Sequence, residues 1–424
     1  MGYICSMRER LSRNILISIA LFFVSTGIFT GGFVTGAYYY DVLPSTFPLA
    51  GRVITADDIE INQEAGATPK DLQQDFKPFW ESFELLQENF VDQPLDTTKL
   101  VQGAIRGMLK ATGDKNTSYM TPIEQDMMSE NMSGEIEGIG AEVDTNGEYL
   151  RVIAPLPGSP AEEAGMLPGD IIIAVDGKDV SDIDPFEVIG QIRGPAGTIV
   201  SITLKREGLL ESLVVEITRY NFVVASVESE KLANQIAYVK INRFGDRTEK
   251  ELRRQLRTLL SDDTVGLILD LRNNPGGFLD AGIAVTSQFI NNQVVMMETF
   301  GDGREREYRS RRDGLATDIP LVVLINRGSA SASEIVASAV KDYKRGTLVG
   351  ETTYGKGTVQ TWINLTDNRG SVRITFARWV GPLGNSIDGQ GVEPDIEIQP
   401  SYEDYQSNID PQLDAALALF LENN

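Results

Sequence analysis

The sequence predicts an α/β protein with an inserted β-rich unit carrying two helices, an N-terminal helical region and one N-terminal transmembrane helix. Three observations lead there. Val265 to Leu271 and Pro320 to Ile325 are continuous apolar runs, as expected for strands covered on both faces, and each precedes a glycine-containing turn and a helical pattern. Residues 131–220 break into short strand patterns separated by glycine turns. Residues 14–40 carry no charge. A chain of 424 residues, 42% hydrophobic and 23% charged, is long enough for two or three folded domains.

Composition removes several function classes. The formal net charge of -23 argues against nucleic acid, whose phosphates bind surfaces rich in Lys and Arg. The arginine-rich stretch from Arg304 to Arg312 reads as a solvated hairpin. Cys5 is the single cysteine, so neither an internal disulfide framework nor a cysteine-rich zinc site is expected. There is no histidine, which removes Ser-His-Asp and Cys-His mechanisms and nearly every zinc hydrolase. Neither a cofactor nor a metal is expected. A catalytic base would have to be a carboxylate, a lysine, a tyrosine or water.

Taken in order, residues 1–13 form a short basic N-terminus containing Arg8, Arg10 and Arg13. The uncharged run at 14–40 exceeds the roughly 20 residues needed to span a bilayer. Tyr38, Tyr39 and Tyr40 suit its interface. Basic residues before the span and acidic ones after it place the N-terminus in the cytoplasm and the remainder outside. A signal peptide cleaved near Thr35-Gly36-Ala37 is the alternative. Residues 41–69 mix Pro, Ala, Gly and acidic residues without periodicity and read as a linker. Residues 70–130 read as helical, because Phe79, Phe83, Leu86 and Phe90 recur at helical spacing, as do Val101, Ile105 and Met108.

Within 131–220, Ser159 to Ala164 reads as a short helix ended by Gly165, Ile171 to Val175 as a buried strand, and Asp176-Gly177 as a tight turn. A second helix, Phe186 to Ile192, and a strand, Ile199 to Arg206, follow. This pattern resembles a PDZ domain as found in bacterial proteases. The resemblance implies that a peptide adds as a strand and that its terminal carboxylate meets backbone N–H groups at Gly138, Ile139 and Gly140. Arg193, after the second helix, is a candidate for relaying occupancy to the rest of the chain.

Residues 221–400 form the α/β core, and 401–424 a helical C-terminal tail. In such sheets, sites collect beyond the C-terminal ends of strands, where the turns from Arg272 to Gly277 and from Asn326 to Glu334 fall. Four segments then become specific: Asp270 to Gly277, Gly328 to Ile335 with its Ser-Ala-Ser-Ala-Ser run, Gly350 to Gln360, and Gly389 to Asp395. In this order they resemble the C-terminal processing peptidases, or tail-specific proteases, and the similarity spans roughly residues 75–400.

That resemblance implies a crotonase-like protease core and a serine endopeptidase acting on proteins or peptides with exposed C-termini, in a bacterial-type envelope. Carried over residue by residue, Ser331 matches the nucleophile and Lys356 the general base. Gln360 matches the residue orienting that lysine. Gly277 and Ala332 match the oxyanion-hole donors, and Asp342 an acidic accessory position. Where the family often has a histidine before Ser-x-Tyr, this chain has Asp114-Lys-Asn-Thr-Ser-Tyr119.

The chemistry supports the transfer. Lysine accepts a proton only when neutral, and burial lowers its pKa by up to about 3 to 5 units. Ser331 precedes the apolar-periodic residues Ile335, Val336, Ala339 and Val340, so it should open a helix whose N-terminus favours developing negative charge. Lys356 and Gln360 are about 13 Å apart on a straight strand, so contact requires a bend. Blander readings stand beside these. In these, the Ser/Ala run only caps a helix, Asp270 pairs with Arg272 or a backbone amide, and Asp342 is structural. A non-catalytic PDZ scaffold at the membrane and an acyl-thioester enzyme of similar fold are the alternative functions. Self-association is left open.

Overall fold

The computed structural model describes residues 54–55 and 72–421, apart from 145–148, 157, 182, 184 and 408. The membrane segment expected at 14–40 lies outside the described residues. Among those described, no helix is long and apolar enough to cross a membrane. The 41–69 stretch, read as a structureless linker, contains a short strand, β1 (Ile54–Thr55), which runs parallel to a core strand at Ile363 and Asn364. Two residues are too few to show periodicity, and only pairing reveals them.

The helical region begins with α1 (Gln73–Asn89) and α2 (Thr97–Lys110). Asp96 starts α2 by accepting from the N–H groups of Thr98 and Lys99 at 2.9 and 3.2 Å. The aromatic residues of α1 pack edge-on along the helix, Phe79 on Trp80 at 5.0 Å and Trp80 on Phe83 at 6.3 Å. None of its residues is buried. The periodicity is real, but its apolar stripe faces outward. Strand β2 (Ser118–Met120) and helix α3 (Pro122–Ser133) follow. A Thr121/Glu124 capping box opens α3, and Gly134, at φ 76°, closes it. The helix therefore runs through the boundary expected at residue 131.

The β-rich unit contains β3 (Glu135–Gly138), β4 (Ala141–Asp144), β5 (Arg151–Pro155), α4 (Pro160–Glu163), β6 (Ile171–Val175), β7 (Lys178–Asp179), α5 (Pro185–Ile192), β8 (Ile199–Lys205), β9 (Leu213–Thr218) and β10 (Tyr220–Val223). Its antiparallel sheet has the order β4-β5-β6-β8-β9, with β7 on β6, while β3 pairs with β10 separately. Every second residue of β8 (Val200, Ile202, Leu204) is buried against Ile172, Ile217 and, from α5, Val188 and Ile192. Asp176 and Gly177 both have positive φ, 48° and 73°, as a two-residue hairpin of this twist requires.

The core comprises β11 (Val227–Leu232), β12 (Ile236–Ile241), α6 (Thr248–Leu259), β13 (Gly266–Asp270), α7 (Leu279–Thr286), β14 (Val294–Phe300), β15 (Glu305–Arg309), β16 (Leu321–Ile325), α8 (Ala332–Asp342), β17 (Thr347–Gly350), β18 (Thr358–Asn364), β19 (Ser371–Val380), β20 (Ile396–Glu397), α9 (Tyr402–Gln406) and α10 (Pro411–Leu421). One sheet runs β11-β12-β13-β16-β17-β20, parallel except for β11. A second runs β1-β18-β19-β14-β15, with β2 on β19.

Strands β13 and β16 are buried throughout, as their apolar runs predict. One face of the first sheet packs on α6, α7 and α8 through Leu252, Val285 and Val336. The other packs on α10 through Ala416 and Phe420. The C-terminal tail is thus part of the core, and Gly266 leaves the space that the Phe420 ring fills. The arginine-rich stretch supplies β15, the alternately exposed outer strand of the β14–β15 hairpin.

Candidate active site

The four sequence segments converge beyond the C-terminal ends of β13, β16 and β17. Asn274 organises the first: its Nδ2 donates to the Ile241 carbonyl at 2.7 Å, and its Oδ1 accepts from Gly276 N–H at 2.9 Å. The second segment docks on it, because Ala330 N–H and Ser333 Oγ both donate to the Asn274 carbonyl, at 3.0 and 2.9 Å. Gly276 faces the serine turn so closely that a Cβ would lie 2.7 Å from Ser331 Cβ and 2.9 Å from Ala332 N. Only glycine fits there.

The three serines of the run separate by what their hydroxyls do. Ser329 Oγ donates to the Leu271 carbonyl at 2.8 Å, and Ser333 Oγ to Asn274; both residues are fully buried. Ser331 is half-buried and caps α8 at its first turn, and its hydroxyl donates to no group among the described residues. It stands at the start of α8 with φ 54° and ψ -114°, a conformation that costs a non-glycine residue roughly 1 to 3 kcal/mol. Two backbone donors flank it: the N–H groups of Gly277 and Ala332 have no acceptor among the described residues. Gly277, at φ 147°, bridges to Phe244, whose carbonyl accepts from Phe278 N–H at 2.7 Å.

Glu334 joins this turn to the lysine segment. The sequence marks it only as the third residue of a capping box, yet its fully buried carboxylate accepts four hydrogen bonds. Oε2 accepts from the N–H groups of Ser331 and Lys356 at 2.8 and 2.9 Å; Oε1 accepts from Thr353 Oγ1 and Gly355 N–H at 2.7 and 2.6 Å. The fourth segment supports the same strand entry, since Gly389 N–H donates to the Gly355 carbonyl at 2.9 Å and Gly357 N–H to Asp388 Oδ1 at 3.2 Å. Glu334→Gln would turn an amide N–H₂ toward two N–H donors, at a cost of about 1 to 3 kcal/mol. The variant is expected to lose kcat with KM nearly unchanged, read by steady-state kinetics alongside thermal melting; unaltered kcat would remove the positioning role.

Lys356 is half-buried. Burial, reinforced by the Arg373 guanidinium, pulls its pKa down to about 8, while Glu334 and Asp114 act in the opposite sense. Its ammonium makes no hydrogen bond to Ser331 among the described residues; Lys356 is held through its backbone, whose carbonyl accepts from Trp379 Nε1 at 2.9 Å. The contact expected between Gln360 and Lys356 is not made. A bulge between Val359 and Gln360 bends β18, and Gln360 Nε2 donates to Thr358 Oγ1 and Thr375 Oγ1 at 2.8 and 3.1 Å. A loop of the helical region reaches the same strands: Asn116 Nδ2 donates to Thr358 Oγ1 at 3.1 Å, and Thr375 N–H to Thr117 Oγ1 at 3.2 Å.

Two acidic residues have local tasks. Asp342, at the far end of α8, accepts from Leu383 N–H and Asn385 Nδ2, both at 3.1 Å, and so pins the 381–385 turn. Asp270 accepts from Tyr238 OH and from both the backbone and the guanidinium of Arg272. Arg272 in turn grips Asp410 at 2.8 Å and ties α10 to the sheet. Asp342→Asn is therefore expected to lower the melting temperature by only a few degrees and to leave peptide cleavage above half of wild type, in a thermal melt paired with a rate assay.

In the β-rich unit, Gly140 has φ 77°, and a Cβ there would strike the Phe222 ring at 2.5 Å. The carbonyls of Ile139 and Gly140 accept from Ala161 and Leu156, whereas their N–H groups have no backbone acceptor among the described residues. Arg193 pairs with Glu130 of α3. No group of carboxylates among the described residues could hold a metal ion.

A serine in a strained helix-opening turn, flanked by backbone donors without an acceptor among the described residues and one carboxylate away from a lysine of lowered pKa, is an arrangement that suits a serine-type peptidase. Family models agree: peptidase family S41 matches residues 235–398, the PDZ domain 151–206, and the activating protease CtpB N-terminal domain 42–122. The carboxy-terminal-processing protease of Bartonella bacilliformis is 37% identical over 85% of this chain and 82% of its own length. The carboxy-terminal processing protease CtpA of Bacillus subtilis is 34% identical over 82% of this chain and 74% of its own. Among solved structures, the photosystem II D1 C-terminal processing protease aligns at 31% identity with a TM-score of 0.47, covering 75% of this chain and 87% of that one. The chain belongs to the carboxy-terminal-processing proteases of peptidase family S41, with a PDZ domain.

Proposed function

We propose that this protease cleaves peptide bonds with Ser331 as nucleophile and neutral Lys356 as base, and selects substrates by their free C-termini. The observation that carries the reading is the hydroxyl of Ser331, which donates to no group among the described residues, between two serines whose hydroxyls donate to backbone carbonyls. Lys356 Nζ takes the Ser331 proton as Oγ adds to the scissile carbonyl carbon. The oxygen, now negative, accepts from the N–H groups of Gly277 and Ala332. Collapse expels the amine, protonated by the Lys356 ammonium, and water releases the acyl group by the same route. Because no hydrogen bond joins Ser331 to Lys356, substrate binding must draw the side chains together, with Gln360 exchanging its threonine partners for the lysine.

The test is labelling with a fluorophosphonate, which esterifies an activated serine hydroxyl, followed by peptide mass spectrometry. The label is expected on Ser331 in wild type and absent from Lys356→Arg; a label on Ser329 would move the nucleophile.

The N–H groups of Ile139 and Gly140, which have no backbone acceptor among the described residues, support carboxylate recognition by the PDZ domain. The uncharged run at 14–40, after three arginines, supports a single-pass anchor holding the protease outside the cytoplasm. Cleavage of the soluble part by protease added to spheroplasts, with the N-terminus protected, tests that topology. The outward aromatic stripe of α1 supports self-association through the helical region.

A further inference from the structure

The loop between α2 and β2 belongs to the helical region, yet its polar side chains end on the strands around Lys356. Asp114 shapes this loop: its carboxylate accepts from Asn116 N–H at 3.0 Å and from Thr117 Oγ1 at 2.6 Å. So folded, Asn116 Nδ2 donates to Thr358 Oγ1 at 3.1 Å, and Thr117 Oγ1 accepts from Thr375 N–H at 3.2 Å. Thr358 opens β18 two residues after Lys356, and Thr375 stands opposite Gln360 on β19. These are the two threonines whose hydroxyls hold Gln360 Nε2. The helical region therefore fixes both anchors of Gln360 and the strand start beside the lysine.

Asp114 also brings a charge. Burial works against its carboxylate, but hydrogen bonds from Thr117, Thr375 and the Asn116 N–H hold its pKa below the ordinary value, so it stays ionised at neutral and alkaline pH. The charged groups that act on Lys356 come from three elements: Arg373 of β19, Glu334 of α8 and Asp114 of this loop. The Arg373 guanidinium lies over the Trp362 ring at 5.4 Å, and Asp114 is the carboxylate that acts on it. Asp114 thus offsets the neighbouring cation that favours a neutral lysine.

We infer that the 114–117 loop is a positioning element for Lys356: Asn116 holds the start of β18 in place for proton transfer, while Asp114 shapes the loop and balances the charge of Arg373. The inference rests on the reading of Lys356 as the base and adds two residues of the helical region to it, Asn116 lying 242 positions from the threonine it holds.

The test measures kcat and KM against pH for the full chain in detergent on one cleavable peptide. Asn116→Leu removes the donor at similar volume and should lower the high-pH plateau of kcat about tenfold or more, with KM within about twofold and the midpoint unmoved. Asn116→His keeps an N–H donor and should recover most of that plateau. Asp114→Asn should move the midpoint of the rising limb downward, opposite to Arg373→Gln, and the two together should return it toward wild type. Asp114→Asn is nearly isosteric, and it decides the matter if Asn116→Leu fails to fold. A wild-type plateau in Asn116→Leu, a loss that Asn116→His does not recover, or an unmoved midpoint in Asp114→Asn overturns the inference while leaving Lys356 as the base. A wild-type profile with no limb near about 8, or substantial turnover by Lys356→Arg, instead overturns the Lys356 reading itself.

Discussion

Lys356→Arg is expected to lower kcat/KM on a cleavable peptide by about a hundred- to ten-thousandfold, the range that a general base contributes. Guanidinium stays protonated at any usable pH and cannot accept the serine proton. In wild type the same group should write the pH profile. With burial and the neighbouring Arg373 holding Lys356 near about 8, the ammonium form predominates below that value and activity is lost as pH falls through it. The profile should thus be a single rising limb with its midpoint near about 8. Arg373→Gln removes a cationic neighbour and should move the midpoint upward. Stability follows the same proton. Unfolded lysine titrates near its ordinary value of roughly 10.4, so between the two values the unfolded chain binds more protons and the contribution of this group to stability rises with pH. At pH 7 Lys356→Met should melt higher than wild type, because it removes a buried charge. Measuring kcat/KM from pH 6 to 10 for wild type, Lys356→Arg and Arg373→Gln decides the assignment; substantial turnover by the arginine variant would mean that another group takes the proton.

Ser331→Ala should cost more, on the order of a millionfold where chemistry limits turnover, since it removes the hydroxyl proposed to attack. Ser329 and Ser333 are buried and bonded to the carbonyls of Leu271 and Asn274, so neither substitutes for it. Alanine keeps the strained backbone and should melt close to wild type. Ser331→Gly is the sharper companion. At φ 54° glycine lacks the Cβ penalty, so this variant should be equally inactive yet more stable, by roughly 1 kcal/mol. Calorimetry and a peptide assay on both variants separate loss of the hydroxyl from loss of the fold. Retained cleavage by Ser331→Gly would show that the nucleophile lies elsewhere.

Where an interaction is local or repeats along the chain, the sequence alone determined it. The Asp176-Gly177 turn, the glycine that ends α4, the buried strands β13 and β16 and the helix behind Ser331 all follow from spacing and backbone preference within a few residues. The missing histidine excludes an imidazole base, and the four ordered segments, through the family they resemble, single out Ser331 and Lys356. What only the tertiary structure decided depends on groups far apart in the chain. Periodicity says that α1 has an apolar stripe but not that it faces outward, because what covers a face is supplied by other elements. Glu334 reads as a helix-capping residue until Thr353, Gly355 and Lys356 are brought to the same carboxylate. Gln360 has its partner chosen by a bulge and by Thr375, fifteen positions away on the neighbouring strand. Asp270 takes Arg272 from its own turn, but Asp410 joins them only because α10 packs across the sheet.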